Sequence, residues 1–261
     1  MAHRETGAEL ALRFYDDLAE HYDMMTGRQN GVQRVRRPLE AFVSQTGIRS
    51  AVDTGCGTGW HAVALAQMGL RTAGIDLSPE MIDRARKLAA ITGVDVRWHV
   101  GDLTQIHDLV GSGWDAVFCL GNTLPHLLKV AEVRRFARSA SRTLNSGGFL
   151  AIQCLNYDLL RSRDERVVAI TRHNQHEFIR FNDYLNRRVR FNLLRIEWTA
   201  RGPRHKLSHT LLRPWTAQDL AHVLRGTGFQ DIRVYSDLKL SPFDPSASRS
   251  FVLVAQKSAL S

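Results

Sequence analysis

The sequence predicts an α/β protein with a mostly parallel sheet, helices on both sheet faces and a small antiparallel insertion. Short apolar strands alternate with amphipathic helices between Ser50 and Cys154, a pattern typical of a parallel sheet covered by helices. After Cys154, apolar and polar residues alternate over longer stretches, as expected for antiparallel strands. From Thr216 one helix and two strands resume the first pattern, so the insertion follows the fifth strand.

The elements before the insertion follow from hydrophobic periodicity and capping residues. Helices are expected from Glu9 to Tyr22 and from Val32 to Gln45, separated by a break at Gly27 and Gly31. Ser78 and Pro79 predict a helix start, with serine as the cap and proline at the first helical position. The other expected helices are Trp60 to Met68 and Ala131 to Thr143, and the expected strands are Ser50 to Asp53, Arg71 to Ile75, Asp95 to Val100, Trp114 to Leu120 and, after a turn at Asn145 to Gly148, Phe149 to Cys154.

The insertion is predicted as two long strands and a third, Lys206 to Arg213. Glu177 to Asn186 and Arg188 to Trp198 form a hairpin that turns near Asn186 and Arg187. The apolar phase changes near Leu194, which predicts a bulge or a strong twist. We therefore divide the chain into an N-terminal helical cap (1–46), a main domain (47–156 and 214–261, with a helix at Thr216 to Gly226 and strands at Phe229 to Ser236 and Arg249 to Gln256) and the antiparallel insertion (157–213).

Length and composition are those of an ordinary globular protein. The chain has 261 residues, 44% hydrophobic and 23% charged, which argues against disorder. No apolar run approaches the roughly 20 residues needed to cross a bilayer, and Met1 to Glu9 lacks the pattern of a signal peptide. Three cysteines without metal-ligand spacing predict reduced thiols, no metal site and a cytoplasmic location: Cys56, Cys119 and Cys154.

The net charge of +9 is concentrated in the insertion. Leu159 to Arg213 holds 13 basic and 5 acidic side chains. Such a surface attracts nucleic acid or an anionic small molecule, and a solvated arginine-rich face is an equally plausible interpretation.

A glycine-rich turn and two acidic residues indicate a nucleotide-type site. Gly55, Gly57 and Gly59 follow the first strand at every second position, where glycine permits positive φ and lets backbone N–H groups approach a ligand. Asp76 ends the second strand, where a carboxylate can accept both hydroxyls of a ribose. Asp102 ends the third strand, where an acid can meet an adenine amino group.

These motifs, with Gly147 and Gly148, resemble those of the class I S-adenosylmethionine-dependent methyltransferases. The resemblance implies a Rossmann-like fold with a seven-stranded sheet and S-adenosylmethionine as cofactor. It implies that Gly55, Cys56 and Gly57 line the methionine part of the cofactor and that Asp76 holds the ribose hydroxyls. It also implies that Leu77 flanks the adenine and that Asp102 and Leu103 contact the edge of the adenine. The full set of implied cofactor-binding residues is Asp53, Gly55, Cys56, Gly57, Gly59, Asp76, Leu77, Asp102, Leu103, Cys119 and Leu120.

The segment after the fourth strand, Leu120 to Leu127, is similar to the corresponding run of the glycine and sarcosine N-methyltransferases. Asn122 in this segment is the candidate for orienting the substrate, because an amide offers a donor and an acceptor. His126 is a candidate general base, although that family needs none and a structural role is the favoured interpretation. Tyr22 resembles the tyrosine that many small-molecule methyltransferases place over the transferred methyl group, and a surface aromatic is an equally plausible reading.

Asn156, Tyr157 and Asp158 after the fifth strand match the same family, but the residue before them does not. The family has an arginine that pairs with the substrate carboxylate, and this chain has Leu155. We therefore expect a substrate other than glycine, and a substitute cation at Arg180, Arg161 or Arg163. The candidate substrate-binding residues are Asn122, Asn156, Tyr157 and Arg180.

The combined interpretation is N-methylation of an amine or amino-acid-like small molecule. Alternatives are O-methylation of a small metabolite with His126 as base, with His61 as a second candidate, and methylation of RNA gripped by the basic insertion. A cofactor sensor without catalysis ranks last. The remaining histidines show no metal-ligand spacing, and the sequence gives no indication of oligomeric state.

Overall fold

The computed structural model describes residues 6–27 and 31–258. Within them lie the strands β1 (Ser50–Thr54), β2 (Arg71–Asp76), β3 (Arg97–Val100), β4 (Trp114–Cys119), β5 (Leu144–Leu155), β6 (Val167–His173), β7 (His176–Tyr184), β8 (Val189–Thr199), β9 (Gly202–Leu212), β10 (Phe229–Tyr235) and β11 (Ser250–Lys257). The helices are α1 (Gly7–Leu18), α2 (Tyr22–Thr26), α3 (Gly31–Thr46), α4 (Trp60–Gln67), α5 (Pro79–Thr92), α6 (Ile106–Val110), α7 (Val130–Thr143), α8 (Tyr157–Ser162) and α9 (Ala217–Arg225), with short 3₁₀ turns at Ala19–His21, Leu103–Gln105 and Leu124–His126.

Seven strands form the main sheet in the order β10-β11-β5-β4-β1-β2-β3. The five neighbouring strands β5, β4, β1, β2 and β3 are parallel, and β11 pairs antiparallel with both β5 and β10. The central strand β1 buries both faces, because Ala51 packs against Phe42 of α3 while the next residue, Val52, belongs to the core that holds Phe136 of α7. The predicted mostly parallel, seven-stranded, Rossmann-like sheet with helices on both faces is confirmed.

A second sheet of four antiparallel strands, β6-β7-β8-β9, follows β5 and α8. The predicted hairpin turns between Leu185 and Arg188, where the Leu185 N–H donates to the Arg188 carbonyl at 2.9 Å. Of the two alternatives predicted at Leu194, the bulge is wrong, since β8 keeps one continuous register with β7 and with β9, and the strong twist stays a prediction. The apolar phase changes because the strand is apolar on both faces: Leu193 packs against the N-terminal helices and Leu194 lies on the opposite face.

The predicted turn at Asn145 to Gly148 is also corrected. These residues form the start of β5, which begins at Leu144 with an irregular register opposite β4. Gly147 has a φ of +74°, which absorbs the irregularity without steric strain. The Ser78 cap is confirmed, because its hydroxyl accepts the Met81 N–H at 3.1 Å and Pro79 begins α5.

The N-terminal helices lie between the two sheets. Phe14 and Leu18 of α1 bury against Phe178 and Leu193 of the antiparallel sheet. The expected first helix is divided into α1, a 3₁₀ turn and α2, which ends at Gly27 with a φ of +65°. The remainder of the expected break, residues 28–30, lies outside the described residues, as does the start of the Met1 to Glu9 segment.

Candidate active site

The glycine-rich turn bends over the carboxyl ends of β1 and β2. The N–H groups of Gly55 and Cys56 both donate to the Ile75 carbonyl, at 2.7 and 3.0 Å. The φ angles of Gly55 and Gly57 are +66° and +54°, a region that side chains rarely adopt. A Cβ on Gly55 would lie 2.2 Å from the Thr123 side chain. Glycine is therefore required here by conformation and by space.

Asp76 closes this turn from the end of β2. One carboxylate oxygen accepts the Gly57 N–H at 2.7 Å, and the other accepts the Ser78 N–H at 3.0 Å. Burial raises the pKa of Asp76, and the two N–H bonds act against that rise because they favour the ionised form. The carboxylate is thus fixed in orientation and keeps lone pairs that can accept hydroxyl groups.

A cavity of about 410 Å³ opens above the turn. The wall contains Asp76 and Leu77 at the end of β2, and Asp102 after β3, whose side chain accepts the Thr104 N–H at 2.7 Å. Six predicted cofactor-binding residues therefore line this cavity, which we call the cofactor cavity: Gly55, Gly57, Asp76, Leu77, Asp102 and Leu103.

The other five residues of the predicted cofactor set lie behind this wall. Asp53 is buried in β1, and Gly59 begins α4 against Ala85 and Trp98. Burial raises the pKa of the Cys56 thiol and raises that of Cys119 to about 12, so both thiols are protonated. Leu120 is buried, and its carbonyl accepts the Thr123 hydroxyl at 2.8 Å. Their positions support the turn, and direct contact with a cofactor stays a prediction.

A second cavity of about 310 Å³ adjoins the first and lies between β5 and the antiparallel sheet. We call it the substrate cavity. Four residues line both cavities and so form their boundary: Tyr15, Tyr22, Gly121 and His126. Arg180 is the one guanidinium or ammonium group in its described lining, and that lining contains no carboxylate.

Tyr15 and His126 form a hydrogen-bonded pair at this boundary, with 3.0 Å between the tyrosine hydroxyl and Nε2 of the imidazole. Burial raises the pKa of Tyr15 and lowers that of His126 to about 4. Both groups are therefore neutral near pH 7. Tyr15 was missed by the sequence analysis; its spacing on α1, seven residues before Tyr22, was the available signal.

Tyr22 lies over the glycine-rich turn, and its predicted place over the transferred methyl group stays a prediction. A Cβ placed on Gly57 would be 3.6 Å from the Tyr22 ring. The next residue, Asp23, holds it there, because its carboxylate accepts the Thr58 hydroxyl at 2.7 Å and the Trp60 indole N–H at 2.8 Å. Asp23 is a second residue that the sequence analysis missed, and it links α2 to the start of α4.

Asn122 lines the substrate cavity, but its amide bonds within the protein. Its N–H₂ donates to the Tyr157 hydroxyl at 2.8 Å, and its oxygen accepts the Leu155 N–H at 2.9 Å. Asn122 has a φ of +67°, one of few such values outside glycine in the described chain. The amide therefore ties the loop after β4 to the end of β5, and Tyr157 presents its ring to the cavity. The predicted role of Asn122 in orienting substrate stays a prediction.

Of the other predicted substrate residues, Arg180 and Tyr157 line the substrate cavity. The Asn156 side chain caps α8 and donates to the Pro245 and Ser248 carbonyls at 2.9 and 3.0 Å, and its role in substrate binding stays a prediction. Arg161 is exposed, and Arg163 donates to the Ser246 carbonyl. Of the three arginines, Arg180 lines the same cavity as Leu155, and its role as the substitute cation stays a prediction.

No group of three or more metal-ligating side chains occurs in the part of the chain that the structure describes. In that same part, no helix has the length and apolar character that a membrane crossing requires. The three cysteines are free and buried.

The comparisons with known proteins agree with this geometry. A family model described as a methyltransferase domain matches residues 51–148. The glycine/sarcosine N-methyltransferase of Aphanothece halophytica is 25% identical over 200 residues, which cover 76% of this chain and 72% of that protein. The chain aligns with less than half the length of several further curated N-methyltransferases that it matches.

Two solved structures extend the likeness to nearly the whole chain. The CcbJ methyltransferase of Streptomyces caelestis is 25% identical with a TM-score of 0.77, over 94% of this chain and 98% of that one. CalS10, an amino pentose methyltransferase from Micromonospora echinaspora with bound S-adenosylmethionine, is 21% identical with a TM-score of 0.64 over 99% of both chains and shows the fold alone. The chain is an S-adenosylmethionine-dependent methyltransferase with the class I fold.

S-adenosylmethionine fits the cofactor cavity on the evidence of the residues present. The absence of a Cβ at Gly57 leaves space beside the turn, and Asp76 offers fixed acceptor oxygens at the place where a ribose needs them. When bound, the cofactor supplies a methyl group on a sulfonium, which is already a good leaving group.

Proposed function

We propose that the enzyme N-methylates an amine or amino-acid-like small molecule other than glycine. The observation that carries this proposal is the neutral boundary between the two cavities, where Tyr15 and His126 pair beside Tyr22. Without a carboxylate in the described lining, the substrate cavity does not stabilise an ammonium ion, and a nitrogen that enters it is favoured in the neutral form. Only a neutral amine has the lone pair that attacks a methyl carbon.

The proposed mechanism needs positioning more than acid–base chemistry. Tyr22 and the Tyr15–His126 pair define the passage through which the substrate nitrogen meets the methyl group, and alignment of these two atoms supplies the rate gain. The nitrogen forms the new N–C bond as the methyl–sulfur bond breaks, and its proton then leaves to solvent or to a neutral acceptor. With a pKa of about 4, His126 is a weak base at neutral pH, which favours a positioning role.

O-methylation is the second candidate, because the Tyr15–His126 pair could accept a hydrogen bond from a substrate hydroxyl. RNA methylation has less support, since the boundary leads into a cavity of about 310 Å³ instead of an open groove. The proposal includes the division of the chain into an N-terminal cap, a main domain and an insertion, in which the insertion forms one wall of the substrate cavity. A cytoplasmic location stays a prediction.

Leu155 lines the substrate cavity where the resembled family has an arginine, so glycine lacks its usual partner. We expect Leu155→Arg to raise kcat/KM for glycine at least about tenfold, since a charge-assisted bond contributes roughly 1.5–3 kcal/mol. Leu155→Met is the matched control and should leave the value unchanged. Efficient methylation of glycine by the natural enzyme would contradict the proposal.

The broader test uses S-adenosylmethionine labelled on its methyl group, the purified enzyme and a cell extract separated into acid-soluble and acid-precipitable pools. We expect label in the acid-soluble pool, in a product whose mass and NMR spectrum show an N-methyl group. An O-methyl product would select the second candidate. Label in nuclease-sensitive precipitate would overturn the proposal in favour of RNA.

A further inference from the structure

The wall of the substrate cavity contains a buried polar side chain that the fold leaves without hydrogen bonds. Asn182 lies on β7, is 1% exposed and lines the cavity. Neither its amide nitrogen nor its amide oxygen meets hydrogen-bond geometry with another group among the described residues. The Asn182 side chain acts on Tyr184, two residues along the strand, as a hydrogen-bond partner that opposes the rise in the Tyr184 pKa, but the pair does not meet hydrogen-bond geometry, and the Tyr184 hydroxyl donates to the Glu165 carbonyl at 2.8 Å. A buried amide without hydrogen bonds destabilises a fold, so a molecule bound in the cavity that supplied those bonds would be favoured.

The register of the sheet explains where this amide faces. Asn182 pairs with Phe191 of β8, and both side chains lie on the face that lines the substrate cavity. The comparable asparagine of the opposite face, Asn192, is 4% exposed and donates to the Asp183 carboxylate at 2.9 Å. The sheet therefore contains two buried asparagines in adjacent strands: one is satisfied within the protein, and the other faces the cavity.

The chemistry of the missing partner follows from the amide itself. An amide has two N–H donors and a carbonyl acceptor, and neither the nitrogen nor the oxygen of Asn182 meets hydrogen-bond geometry with another described group. A carboxylate would satisfy only the donor, and an ammonium would satisfy only the acceptor. A hydroxyl group both accepts and donates, so it can satisfy both atoms of Asn182. A neutral amine could do the same only with the lone pair that the reaction needs for the methyl carbon.

The size of the cavity sets a second condition. Its volume of about 310 Å³ equals roughly ten water molecules at about 30 Å³ each, which is more space than glycine fills. The walls beside Asn182 are mostly apolar, with Val168, Leu155 and Phe191 among them. Such walls suit a substrate with an apolar or ring-shaped body.

From these observations we propose that Asn182 determines specificity by binding a hydroxyl group of the substrate, and that the substrate is a hydroxylated amine with a body larger than glycine. This inference rests on the proposed N-methylation. It adds the hydroxyl group and the residue that recognises it.

The test compares two ring amines that differ only by a hydroxyl group. Aminocyclohexanol, in each of its ring isomers, and cyclohexylamine are offered separately with methyl-labelled S-adenosylmethionine. For the natural enzyme we expect kcat/KM to be at least about tenfold higher for the best aminocyclohexanol isomer, because an analogue without the hydroxyl leaves the buried amide unpaired. In Asn182→Leu that ratio should fall to about one. In the matched control Asn192→Leu it should stay as in the natural enzyme.

Thermal unfolding without substrate gives a second readout. Asn182→Leu should raise Tm by a few degrees, about 2–4 °C, because it removes an unbonded buried amide, whereas Asn192→Leu should lower Tm because it breaks a bond to Asp183. This opposite pair of shifts is not expected if Asn182 is satisfied within the protein.

The outcomes separate this inference from the proposed function. Equal kcat/KM for the two amines in the natural enzyme, or the same preference in Asn182→Leu, overturns the role of Asn182 while N-methylation stands. Transfer to neither amine overturns the proposed substrate class, and the labelled extract then reports on N-methylation independently.

Discussion

The two cavities of this enzyme are built in different ways. The cofactor cavity is built on the turns at the carboxyl ends of β1, β2 and β3, with α1 and α7 completing its wall, and its key contacts use backbone groups, such as the Gly57 N–H on Asp76. The substrate cavity is assembled from α1, α2, the loop after β4, the end of β5 and the antiparallel sheet, and its contacts use side chains. A substitution therefore acts through backbone geometry in the first cavity and through side-chain pairing in the second.

The largest effect is expected at Gly55. Gly55→Ala forces an alanine to adopt a φ of +66° and places its Cβ 2.2 Å from Thr123. Strain of about 1–3 kcal/mol from the backbone and a similar amount from overpacking give a loss of about 4 kcal/mol in the free energy of unfolding. Binding of S-adenosylmethionine should be lost as well. Urea denaturation and isothermal titration calorimetry measure the two effects.

Gly47→Ala is the matched control for this variant. Gly47 has a φ of +68°, almost the same value, but a Cβ there would meet no atom within 4 Å. Gly47→Ala should lower the free energy of unfolding only by the backbone strain, about 1–2 kcal/mol, and should keep the affinity for the cofactor. Equal losses in the two variants would show that the contact with Thr123 does not matter.

The same difference explains how far the sequence could be interpreted. The turn from Gly55 to Gly59 and the acid Asp76 are local patterns, so residues and positions were both predictable. Tyr15 and Asp23 carry no local motif; their importance arises from contacts with His126, Thr58 and Trp60, which the fold brings together. The bulge predicted at Leu194 failed for a related reason, because a strand that packs on both faces loses the simple alternation.

The next effect concerns the boundary between the cavities and depends on pH. The pKa of His126 is lowered by burial from 6.5 to about 4, so the unfolded chain binds more protons than the native protein between these values. The contribution of His126 to the free energy of unfolding is fully present above about pH 6.5 and is lost as the pH falls toward 4. Between pH 7 and pH 5 the contribution of His126 to this loss is about 2 kcal/mol. Urea denaturation at the two pH values measures it.

His126→Phe keeps a ring of similar size and removes the titrating group. The variant should lose about 2 kcal/mol less than the natural enzyme between pH 7 and pH 5. The comparison between variants is needed because His21 and His99 also have lowered pKa values and contribute in the same direction. An identical pH dependence in both proteins would show that His126 is not held neutral by burial.

The smallest effect tests how the N-terminal helices join the two cavities. Asp23 accepts two hydrogen bonds, from Thr58 and Trp60, and so holds Tyr22 against the cofactor turn. Asp23→Ala should lower the free energy of unfolding by about 1.5 kcal/mol and reduce the affinity for S-adenosylmethionine. Asp17→Ala removes the exposed ion pair with Lys206 on the side of the antiparallel sheet and should cost less than about 0.5 kcal/mol, with no change in affinity. If Asp17→Ala weakened cofactor binding as much as Asp23→Ala, contacts of the N-terminal helices with either sheet would affect the cofactor cavity equally. The N-terminal helices would then not separate the effects of substitutions in the two cavities.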